Sequence, residues 1–138
     1  MQLSRTVAAA VLAAGIACSG AASAAADPSH YLLTYTVIEK FKAFEKDTRK
    51  DAHNDEALDP RDADDLIRKL DKDPAAKAAL AKHGLSTREF ALATFAMLHA
   101  GFFVAMEGAM DKKKAAEAFA GYTQEQRANI EMVREMHK

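Results

Sequence analysis

The amino-acid sequence predicts an all-α protein: a compact four- to five-helix bundle with a central buried helix, preceded by a cleaved signal peptide. Three observations lead there. Helix-start signals recur along the chain while strand signals do not, apolar residues fall at three- and four-residue spacing, and the first residues carry the tripartite pattern of an export signal.

That signal opens the chain. Arg5 supplies a lone positive charge, and the apolar run Val7 to Ala14 follows it, with Gly15, Ile16 and Ala17 beyond. Small residues come next, and Ala22, Ser23 and Ala24 provide the small-x-small pattern that signal peptidase admits. Cleavage is expected after Ala24, with Ala26 as the alternative, and the mature protein is expected in the periplasm or outside the cell. An uncleaved anchor would need an apolar stretch closer to the ~20 residues that cross a bilayer. The only cysteine, Cys18, lies inside the signal, so the mature chain holds no thiol and no disulfide. Lipidation at Cys18 would call for a leucine-like residue three positions upstream, where Gly15 stands.

The domains expected are therefore the signal, residues 1–24, and a single helical domain, residues 25–138. That length suffices to bury a core without metals or cross-links. Removing one Arg and no acid with the signal shifts the formal charge from −1 to −2. A near-neutral chain lacks the basic face that neutralises phosphates, which argues against nucleic acid as a partner.

Within the mature chain, Asp27-Pro28, Asp59-Pro60 and Asp73-Pro74 each read as an N-cap acceptor followed by proline at the first helical position. Tyr35, Val37, Ile38, Phe41 and Phe44 share the broad apolar face of a first helix. Residues 51 to 59 are the longest linker, acidic but without the glycine and closing glutamate of a calcium loop. Ala63, Leu66, Ile67 and Leu70 mark a second helix; Ala76, Ala79, Leu80 and His83 mark a third. Gly84 follows Lys82 and His83, where a helix end favours a left-handed residue and positive charge.

Ser86-Thr87-Arg88-Glu89 is a capping box, with Leu85 and Phe90 placed as its hydrophobic staple. From Phe90 to Met106 the side chains are apolar or small all round, broken by Thr94 and His99. Such a helix belongs in the middle of a bundle. Its alternative is a membrane span with Lys112, Lys113 and Lys114 as the flank, although this run is short and rich in alanine and glycine. Thr123 and Gln126 repeat the capping box, and Ile130, Val133 and Met136 or His137 mark the last helix.

No catalytic motif is present: no Gly-x-Ser-x-Gly, no His-Glu-x-x-His, no phosphate-cradling glycine loop and no Cys-x-x-Cys-His for covalent haem. The expectation is a non-enzymatic binding or interaction module, whose partner is a protein or a small apolar ligand. Helices splayed around Tyr31, Tyr35, Phe41, Phe44, Phe95, Phe102 and Phe103 would leave room for either.

The alternative is a bundle that binds copper or haem b. Met106 and Met110 are spaced i, i+4 on the central helix, and Met132 and Met136 repeat that spacing on the last. Four thioethers from two helices suit Cu(I), a soft cation. His99 is the one imidazole in the apolar run and a candidate ligand for haem or a metal, but at about 10 Å of helical rise from Met106 it cannot share an ion with it. Thioethers at this spacing also fill cores, and a histidine on an apolar helix is commonly neutral and hydrogen-bonded.

Gly84-Leu85-Ser86-Thr87-Arg88-Glu89-Phe90 with the alanine-rich helix that follows, and Gln126-Arg127-Ala128-Asn129-Ile130, resemble a group of small exported proteobacterial proteins of unknown function. The resemblance covers roughly the last 55 residues, counted from Gly84. It implies a helical fold and a periplasmic address, and carries no activity, cofactor or site residue.

Overall fold

The computed structural model describes residues 24–49 and 59–138. The expected signal and most of the acidic linker lie outside these residues. Every regular element described is helical: a 3₁₀ turn Pro28–His30, then α1 (Tyr35–Thr48), α2 (Ala63–Asp71), α3 (Pro74–Lys82), α4 (Thr87–Glu107), α5 (Lys112–Ala120) and α6 (Gln124–Met136). The chain is all-α, as the sequence predicts, with six α-helices among the described residues in place of four or five.

Most local signals act where they stand. Asp73 Oδ1 accepts from the N–H groups of Ala75 and Ala76 at 3.0 and 3.1 Å, with Pro74 at the first helical position. Thr123 and Gln126 form the full reciprocal box, at 3.0 and 3.1 Å. Ser86 Oγ accepts from Glu89 N–H at 3.0 Å, and Leu85 and Phe90 enter the same core cluster. Gly84 adopts φ +69° at the end of α3, and the Leu85 N–H reaches back to the Leu80 carbonyl at 3.0 Å.

Three expectations need correction, and one helix was not expected. Asp27-Pro28 starts only a three-residue 3₁₀ turn, because Tyr31 and Leu33 are drawn off in extended form toward α6. The cap of α2 is Asp62, whose Oδ1 accepts from Asp65 N–H at 2.7 Å; Asp59-Pro60 precedes the helix. Lys112, Lys113 and Lys114 form the first turn of α5, a helix not expected from the sequence, with Asp111 as cap despite positive charge at a helix N-terminus being electrostatically unfavourable. On α1, Tyr35 is 60% exposed, and the apolar contact comes instead from Leu33, just ahead of the helix.

Two clusters form the core. The larger joins Leu33, Val37 and Phe41 to Leu66, Leu70, Leu80 and Leu85 around Ala91, Ala93 and Ala96 of α4. The smaller joins Ala100 and Phe103 of α4 to Ile130 and Val133 of α6. His99 with Gln126, Phe103 with Ile130 and Glu107 with Arg134 keep a constant separation of 27 residues, so α4 and α6 run parallel. The alanines on the inner face of α4 let its neighbours approach closely.

The expected burial of α4 on every side does not hold. Its inner face is closed, yet Leu98 is 62% exposed, Phe102 70% and Met106 43%. The reason is length. At 1.5 Å per residue, the 21 residues of α4 span about 31 Å, whereas α2, α3 and α5, at nine residues each, span about 14 Å. The short helices and α6 gather on the inner side of α4, and no described helix lies over Leu98 and Phe102.

Candidate functional site

At about 100° of turn per residue, Thr94, Leu98, Gly101, Phe102 and Ala105 fall within an arc of about 100° on one side of α4, with Met106 about 40° beyond it. Leu98, Phe102, Ala105 and Met106 are exposed, and a Cβ added to Gly101 would meet no neighbouring atom within 4 Å. The outcome is a continuous apolar strip along the second half of α4. Scattered exposed apolar residues are ordinary, but a contiguous run of large ones marks a contact surface.

Toward its N-terminal end the strip runs into a groove between α1 and α4. Phe41 stacks on Phe90 with ring centroids 4.8 Å apart, and Phe44 meets Phe90 edge-on at 5.4 Å. These rings, with Thr94, Met97 and Leu98, enclose about 250 Å³, and Glu45 is the charged residue on the rim. Pockets that engulf a small ligand hold about 300–1,000 Å³, so this groove suits a side chain or two from a larger partner.

The far end of α4 is built differently. Arg134 Nε donates to Glu107 Oε1 at 3.0 Å and a second guanidinium nitrogen donates to Oε2, while the guanidinium carbon lies 5.0 Å from the Phe119 ring centroid. These hydrogen bonds hold the Glu107 carboxyl below the usual carboxylate range. Beside the pair, Gly108, Lys112, Ala116 and Phe119 line a cleft of about 420 Å³.

The residues singled out from sequence are dispersed. Met106 is exposed at the border of the strip, and Met110 lies past the end of α4 in a turn, its N–H donating to the Met106 carbonyl at 3.2 Å. Met110 is thus not on the central helix as expected. Met132 packs against the larger core cluster, and Met136 is 46% exposed near the chain end. His99 sits edge-on to Tyr122 with centroids 4.6 Å apart, at a cleft of about 280 Å³ that it shares with Phe95, Gln126 and Asn129. Burial pushes its imidazole pKa down, which favours the neutral ring. Among the described residues no three of His, Cys, Asp and Glu are grouped to hold a metal ion.

Leu98 and Phe102 as surface residues are what the sequence reading missed. The available signal was the mismatch between one long apolar segment and the short amphipathic segments expected to surround it. Among the described helices α4 is also the one long and apolar enough to cross a membrane, with mean hydropathy 1.6 over its best window, 28% of which is buried.

No family model matches the chain, and no curated protein or solved structure matches it either.

Proposed function

We propose that this chain is an exported, non-enzymatic interaction module, acting in the periplasm or outside the cell, and that it binds an apolar helical partner along the open face of α4. The observation that carries the reading is the exposure of Phe102, at 70%, in line with Leu98 and Met106 on a helix whose opposite face is fully packed. Removing such a strip from water on binding yields about 25 cal/mol for each Å² of apolar surface covered. The adjoining aromatic groove offers a socket for one anchoring side chain, the arrangement by which an apolar surface takes up an amphipathic helix. The near-neutral charge and the missing catalytic motifs agree with this role.

A photo-reactive amino acid placed at position 102 in the exporting cell tests it, with position 42, an exposed lysine on α1, as control. Covalent adducts with a polypeptide from position 102 but not from 42 are expected. A chain that forms no adduct from 102 overturns the reading.

A further inference from the structure

Resting on that reading, we propose that the partner helix is α4 of a second copy, docked antiparallel about a two-fold axis beside Phe102. The strip is balanced about this residue, with Leu98 one turn before it and Met106 one turn after, both exposed. Gly101 and Ala105 beside Phe102 present no bulk, and the space over Gly101 is empty, so two helix backbones can approach closely there. An isologous contact of this kind closes on itself and leaves no strip uncovered.

Charge selects the direction. Glu45 lies on the rim of the groove next to Thr94 and Leu98, while Lys112 lies beside Gly108 at the other end. By helical periodicity Thr94, Met97 and Gly108 fall on the same side of α4. A two-fold axis perpendicular to α4 reverses the helix and keeps that side in place, so Glu45 of each copy faces Lys112 of the other. A parallel pair, related by an axis along α4, would set the two Glu45 side chains on opposite sides of the seam and pair neither with Lys112. The intrahelical partner of Glu45, Arg49, sits 3.6 Å away with both side chains largely in water, a pair too weak to neutralise it. Antiparallel helices also set their end dipoles in opposition.

Sedimentation equilibrium of the processed full chain across micromolar concentrations is the test. A reversible doubling of mass is expected. Gly101→Leu, whose Cβ meets open space and which replaces glycine by a better helix former, should leave the monomer at least as heat-stable while abolishing the dimer. Glu45→Lys and Lys112→Glu should each raise the dissociation constant on the order of tenfold, and the double exchange should restore it. A monomer at every concentration, a dimer indifferent to Gly101→Leu, or charge changes that are not rescued together would each overturn the proposal. The crosslink at position 102 separates this from the broader reading: adducts of twice the chain mass agree with self-association. Adducts with other proteins alone refute the dimer and leave the interaction surface standing.

Discussion

The side-chain amide of Asn129 and the backbone of Leu33 meet at 2.8 Å across 96 residues of sequence. The same amide donates from Nδ2 to the Tyr31 carbonyl, also at 2.8 Å. Asn129 is 1% exposed, so one side chain on α6 satisfies an N–H and a C=O of the extended segment that leads into α1. This holds the start of α1 against α4 and α6, and with it one wall of the aromatic groove.

Asn129→Leu removes both partners and leaves a donor and an acceptor without a bond in a dry place. A loss of about 2–4 kcal/mol is expected, read as a lower midpoint in urea unfolding with an unchanged slope. Asn129→Asp keeps the acceptor for Leu33 and turns a donor into a negative oxygen facing the Tyr31 carbonyl, so it should also destabilise. Wild-type stability in both variants would show the bonds to be dispensable.

The Glu107 and Arg134 pair fastens the ends of α4 and α6, with side chains about a quarter to a third exposed. Arg134→Lys retains the charge but loses the two-point bond and the guanidinium over Phe119. A cost of about 1 kcal/mol is expected, modest because water screens part of the attraction. Arg134→Met should cost more than Glu107→Gln, since it leaves a carboxylate unpartnered; equal thermal midpoints for the two would contradict this.

Acid should weaken the fold through Asp65. The side-chain bond from Lys69, then the Arg61 N–H, lowers its carboxyl pKa to about 2. The free carboxyl titrates near 3.9. A group with a depressed folded-state value contributes stability that is present above the unfolded value and lost as pH falls through the folded one. Thermal midpoints of the native chain should therefore drop between about pH 4 and pH 2 from this group. Asp65→Asn should flatten that part of the profile, and a profile of unchanged steepness would show that other carboxylates govern it.

Gly84 is the position where backbone conformation alone is at stake. An added Cβ would meet Lys40 Cε at 3.6 Å, an ordinary contact, so Gly84→Ala should lose about 1 kcal/mol from the positive φ and not from collision. Gly101→Ala, on a helix with nothing near it, should gain a comparable amount. Chemical denaturation of the two variants side by side decides this, and equal effects would contradict the assignment.

Export and membrane association separate in one fractionation. Edman sequencing of the native product should begin at Ala25, and the proposal that the strip on α4 takes up protein rather than lipid requires an alkaline wash to release the chain from membranes. Retention in the washed membrane would instead mark α4 as a span.

Much of the local architecture was legible because its causes act within four or five residues. A cap such as Asp73 or Thr123 answers the free N–H groups of its own helix, and Gly84 is selected by its own φ. Helix α5 was hidden because its first turn carries Lys112, Lys113 and Lys114 and none of its residues is buried. Asp62 displaced Asp59 as cap because both fit the local pattern, and the choice between them belongs to where Leu66 and Leu70 must point to reach α4.

By itself the sequence determined the helical class, the starts of α3, α4 and α6, the end of α3 and the apolar character of the segment from Phe90 to Met106. Only the tertiary structure decided which side of that segment meets water. Apolarity is a property of the residues, but exposure depends on which neighbours are long enough and correctly placed to cover them. Ala100 and Phe103 are buried because α6 lies alongside, whereas Phe102 remains open because no described helix reaches across it.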